Sequence, residues 1–240
     1  MTSEPISSNP GIVIQATQSD LTSENWMHMI DDAISRFEST SLKEWAYQVE
    51  RFENEEGDIT HSLEQFEPAN GLSNAWSLVR INDQLPSQQQ REAFAERKNQ
   101  SQDAEESANF SISLRELIQV DTLIPINEDR HFIYAQFDVY FSQLGEAESK
   151  FLLGTLKYAK HEDYIAQVTI VNTAPLSPMF TAKITELEFS LSFLQIDQAI
   201  LPEKISLNML GTFAIFTEID EVSVDTFSDY EYRGAQLPVN

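Results

Sequence analysis

The chain has 240 residues, with 39 Asp and Glu against 15 Lys and Arg and a formal charge of -24. A surface of that sign repels phosphate backbones and anionic lipid, which excludes nucleic acid as an expected partner and disfavours anionic membrane surfaces. The absence of cysteine excludes disulfides, thiolate catalysis and cysteine metal sites together, while a 41% hydrophobic fraction and 15 Phe suffice for a core.

Residues 1–22 read as a flexible lead rich in Ser, Thr, Asn and Gln, of the kind found after a removed targeting segment. The expectation is a trimmed signal with an added starting Met. No run of 18 apolar residues exists, so no membrane-spanning helix is expected. An amphipathic helix then starts at Ser23, with Trp26, Met29, Ile30, Ala33 and Phe37 on one stripe. Ser23 suits the N-cap, and Glu24 suits the positive end of the helix dipole.

Trp45, Tyr47 and Val49 alternate in a first strand, and a turn over 54–58 with Gly57 leads to a second through Ile59, Leu63 and Phe66. After Pro68-Ala69-Asn70-Gly71 a third strand runs from Ala75 to Ile81. Trp45 and Trp76 are expected on neighbouring strands as a cross-strand aromatic pair. Beyond Pro86 a polar helix over 87–99 continues into a solvated, mobile linker, the two together covering about 87–110. Residues 113–120 read as a short helix that Pro125 ends. Six strands follow near 130–141, 149–159, 163–172, 182–195, 204–216 and 221–232, each with one apolar face. Short connections make these neighbours antiparallel.

Little catalytic chemistry is written on this pattern. His28, His61, His131 and His161 sit on separate elements without metal-ligand spacing, and the acidic pairs lack a calcium loop. Glu186 and Glu188 are the nearest approach to a glycosidase pair, yet they share one strand face. There is no GxSxG elbow, GxGxxG loop or P-loop. No catalytic residue, metal or cofactor is therefore expected.

Several segments resemble a known group. Trp45 to Arg51, Phe66-Glu67-Pro68, Trp76 to Val79 and Pro86 with its polar helix resemble a set found in uncharacterised Gram-negative envelope proteins. Leu153-Gly154-Thr155-Leu156, Lys183-Ile184, Ile200 to Lys204 and Phe227 to Tyr230 are similar to the closing strands of the lipoprotein-carrier superfamily. That superfamily includes the periplasmic lipoprotein localisation carrier and the anti-sigma-factor partner proteins. The resemblance implies an α+β fold: a large, curved antiparallel sheet, or half-open β-barrel, with helices packed on its concave face. Residues 23–240 would form that single half-barrel domain behind the lead.

It also implies a groove that receives acyl chains, each buried methylene contributing about 0.8 kcal/mol. The candidate lining is Trp26 on the covering helix with Phe137, Phe189, Leu191, Met209 and Phe213 on the sheet. The carrier family proper uses a positive residue at the cavity mouth, and no position here matches it, so architecture carries over and no individual functional residue does. The expected function is a non-enzymatic protein of the periplasm or cell envelope that binds a lipid, an acyl chain or a lipoprotein. The rival is a protein-interaction or regulatory module of the same fold with a filled core.

Overall fold

The computed structural model describes residues 23–68, 75–100, 113–142, 144–179, 181–214 and 217–234. The expected lead and residues 101–110 of the expected linker lie outside them. Three consecutive strands open the sheet: β1 (Trp45–Glu55), β2 (Asp58–Phe66) and β3 (Trp76–Ile81). Eight follow: β4 (Ile124–Glu128), β5 (Phe132–Asp138), β6 (Leu152–Ala159), β7 (Tyr164–Asn172), β8 (Leu176–Met179), β9 (Ala182–Ile196), β10 (Ala199–Phe213) and β11 (Thr217–Tyr232). They make one sheet of 11 strands in the order β3-β2-β1-β11-β10-β9-β7-β6-β5-β4, with β8 on β9. Every pairing is antiparallel, and the two ends are not joined, so the sheet is a half-open barrel.

Among the described residues four α-helices accompany it: α1 (Ser23–Glu38), α2 (Gln88–Gln100), α3 (Leu114–Leu117) and α4 (Gly145–Ser149). On α1, Trp26, Ile30, Ala33, Ile34 and Phe37 are buried against β5–β7, β9 and β10, where Phe137, Leu156, Val168, Ile170, Leu191 and Phe193 meet them. Trp26 stands edge-on to Tyr158, with ring centroids 5.6 Å apart. Arg36 fixes the helix by donating to the carbonyls of Glu162 (2.7 Å) and Asp163 (3.0 Å) in the β6–β7 turn. A second, smaller cluster unites Trp45, Tyr47, Val49, Phe66 and Leu201 with Phe227 and Tyr230 beside them.

The structure corrects several expectations. β4 exists where Pro125 reads as a stop, because an edge strand has no outer neighbour to need the missing N–H. β8 contains Pro178 and follows Pro175, so its four residues read as a turn; they pair with β9. The helix expected over 113–120 is one turn at 114–117 followed by a 3-10 turn at Val120–Thr122. β10 starts at Ala199 and β11 at Thr217, earlier than their apolar alternation suggests. Trp45 and Trp76 are not on neighbouring strands, because the meander places β2 between β1 and β3. Trp45 instead packs on Tyr230 and Tyr232 of β11, and Trp76 on Tyr47 and Phe66. The β1–β2 hairpin is as expected: Glu56 and Gly57 take positive φ, and Asn54 Oδ1 accepts from the Gly57 N–H at 2.9 Å.

Candidate functional site

Registered partners in an antiparallel sheet share a face, so the strand pairings define lines of side chains across it. One line on the helix-bearing face runs Ala135, Leu156, Val168, Leu191, Ile205, Asp225, Arg51, Ser62, Ile81. The next runs Phe137, Gly154, Ile170, Phe189, Leu207, Ser223, Glu53, Thr60. Both are apolar from β5 to β10 and turn polar at β11. One continuous face therefore carries an apolar region under α1 and a charged region under α2.

The charged region contains a cleft of about 400 Å³ between α2 and β1–β3. Its walls are Leu78, Ile81 and Phe94, with the hydroxyls of Thr60 and Ser62 and the charges of Arg51, Glu53, Glu64, Arg97 and Lys98. The sequence positions α2 simply: Pro86 cannot continue the strand ladder, Ser87 Oγ accepts from the Gln90 N–H (3.3 Å), and Gln90 Oε1 accepts from the Ser87 N–H (2.8 Å). This reciprocal cap starts a polar helix whose Phe94 is buried. Arg97 and Lys98 in its last turn suit the negative end of its dipole.

Glu64 is the hub, with its side chain only 7% exposed. Lys98 Nζ lies 2.9 Å from one carboxylate oxygen and Arg51 Nε 3.4 Å from the other. Ser62 Oγ donates to Glu64 Oε1 at 3.4 Å. Arg51 also reaches Asp225 (3.2 Å) and, more loosely, Glu53 (3.8 Å). The Lys98 ammonium sits 4.2 Å above the Trp76 ring, a cation–π contact. Burial pushes the Asp225 carboxyl above its ordinary range, against the pull of Arg51 and with help from Glu64 and Glu53. Burial, and then the Glu64 charge, likewise raises the Tyr47 hydroxyl.

The residues expected to line a groove divide. Trp26, Phe137 and Leu191 are fully buried within the packed core beneath α1. Phe189 packs on the margin of that core, Met209 is half-buried further along β10, and Phe213 is 44% exposed at the end of the same face. The structure brings the first three together with Phe189 and leaves Met209 and Phe213 towards the open end. The hub residues Arg51, Glu64, Lys98 and Asp225 were not anticipated from sequence. A signal existed on β1, where Trp45, Tyr47 and Val49 set a core-facing period that Arg51 and Glu53 continue.

Among the described residues, no helix is long and apolar enough to cross a membrane. No three His, Asp or Glu side chains among them are grouped to hold a metal ion. Glu186 and Glu188 are exposed on β9.

No protein-family model matches the chain, and no curated protein matches it in sequence. Two solved structures are similar over most of its length. One, from Vibrio parahaemolyticus, is described as an outer membrane lipoprotein-sorting protein domain; it is 7% identical, with a TM-score of 0.39, over 91% of this chain and 95% of that one. The other is a DUF1329 family protein from Desulfovibrio piger, 8% identical, with a TM-score of 0.35 and the same coverage of each chain. Similarity at this level fixes neither family nor activity.

Proposed function

We propose that this is a non-enzymatic protein of the cell envelope that binds an apolar ligand or a lipid-modified partner on the concave face of its sheet. The observation that carries the reading is the change of character along that face, from Phe189 and Leu207 to Ser223 and Glu53 within one registered line. An amphiphile has the same order of parts. Its apolar portion lies along Phe189, Met209 and Phe213, which rest on the floor made by Trp26, Phe137 and Leu191. Its polar end reaches the cleft under α2. A volume of about 400 Å³ suits a small ligand or headgroup.

Native mass spectrometry of gently purified protein, with solvent extraction of what co-purifies, tests this. A bound lipid that is lost on Phe189→Asp or Met209→Lys, in variants that still fold, supports the reading. A single mass with no uptake of added fatty acid or lipopeptide sinks it.

One observation favours the rival reading, an interaction module with a filled core. Edge strand β4 exposes Ile124 and Ile126 (63% and 52%) and has no outer neighbour among the described residues, the arrangement that receives an added strand from a partner. Failure of ligand uptake moves the weight to that edge.

A further inference from the structure

Resting on the amphiphile reading, we propose that the cleft between α2 and β1–β3 is a subsite for a zwitterionic group, one that carries a primary ammonium and an anionic centre close together. Both signs line the cleft: Arg51, Arg97 and Lys98 against Glu53 and Glu64. Two of these charges are largely unspent. Arg97 is exposed on the cleft wall and, among the described residues, forms no ion pair. Glu53 is 40% exposed and meets Arg51 only at 3.8 Å. A guanidinium grips a phosphate or carboxylate through two parallel N–H bonds, and a carboxylate accepts from an ammonium.

The interior of the cleft is also incompletely satisfied. Arg51 Nε and the adjacent Asp225 Oδ1 are buried and, among the described residues, lack a hydrogen bond of good geometry, although opposite charges lie nearby. Buried polar atoms normally find such partners, so the two together mark a network with capacity for another member.

The charge of the whole chain selects among ligands. At -24 it repels a net anion on approach, and it attracts a net cation over the entire surface with no preference for this cleft. A zwitterion meets neither effect, and only a site with both signs close together holds it.

Isothermal titration with three lysolipids of one chain length, each below its micelle concentration, tests the assignment. Lysophosphatidylethanolamine offers an N–H-bearing ammonium, lysophosphatidylcholine a quaternary one, and lysophosphatidylglycerol only the anion. The expected result is at least tenfold tighter binding of the first. Glu53→Gln erases that preference and Arg97→Ala weakens binding of all three, while Arg80→Ala on the opposite face leaves affinity and preference intact. Free glycerophosphoethanolamine, which keeps the phosphodiester and is net neutral, separates the sources: competition with the lysolipid extends the subsite to soluble zwitterions, and no competition with the preference retained confines it to lipid headgroups. Equal affinity for all three lysolipids overturns the subsite and leaves the amphiphile reading standing. No binding of any of them overturns both.

Discussion

The α1 half and the α2 half of this sheet follow the same period of two and end differently. Under α1 the face-inward positions are Ile133, Ala135, Phe137, Leu156, Val168, Ile170 and Leu191, and a helix with a full apolar stripe seats on them. Under α2 the same face offers Arg51, Ser62, Glu64 and Asp225, and the helix meets them with Phe94 and Lys98. The first half is sealed by close packing; the second is held by one buried ring and a charge network and keeps a cleft. The lesson is that strand pattern builds the sheet, while the identity of the inward residues decides whether a helix closes it or stands over a site.

Removing the central side chain of each half breaks this contrast most sharply. Trp26→Ala should destabilise the fold by about 3–5 kcal/mol, because a fully buried indole leaves a cavity the core cannot refill. Its counterpart, Phe94→Ala, should free α2 locally: amide exchange in residues 88–98 accelerates while the urea midpoint of the sheet shifts far less than for Trp26→Ala. A full-sized loss of global stability from Phe94→Ala would mean that the halves are not energetically distinct.

Overpacking sharpens the account of the sealed half. A Cβ on Gly154 would sit 2.3 Å from the Phe137 ring, which covers that position from the neighbouring strand. Gly154→Ala should therefore cost about 1–3 kcal/mol in thermal unfolding, and Phe137→Leu in the same chain should recover part of it. In the open half, Glu64→Gln removes the common partner of Arg51 and Lys98. Those cations are 30% and 23% exposed, so water takes over part of the pairing, and a loss of about 1–2 kcal/mol is expected.

The smallest effects are pH-dependent and opposite in sign. Asp225 is raised by burial, so the folded state holds its proton more tightly than the unfolded chain does. Its contribution therefore rises as pH falls through the raised pKa towards the ordinary value of 3.8, and Asp225→Asn removes that rise. Asp129 is lowered by the backbone N–H groups of His131 (2.7 Å) and Phe132 (2.8 Å). Its stabilisation is present above 3.8 and is lost as pH falls through the lowered pKa, and Asp129→Asn flattens that loss. Urea midpoints measured from neutral to acid pH for the two variants should bend in opposite directions.

The sheet was legible where one face is dry. Alternation in β5, β7 and β9 identifies the strands because burial selects apolar residues at every second position. β4 and β8 were hidden by Pro125 and Pro178, whose cost in a strand vanishes at an edge that the chain alone does not reveal. The charged cleft was less legible, since it depends on Arg51 meeting Asp225 across β1 and β11, strands from opposite ends of the chain. No local spacing encodes that pairing. The clue that remained, Arg51 and Glu53 continuing the inward phase of Trp45, Tyr47 and Val49, has meaning only once β11 and α2 are in place.

Methyl NMR during titration with lysophosphatidylethanolamine tests the central claim most directly. The account predicts shifts at Leu78, Ile81, Leu207 and Met209 on the open concave face, with Leu191 and Ile170 in the sealed core unmoved. Shifts confined to Val222 and Val224 on the opposite face, or no shifts at saturating lysolipid, would contradict it.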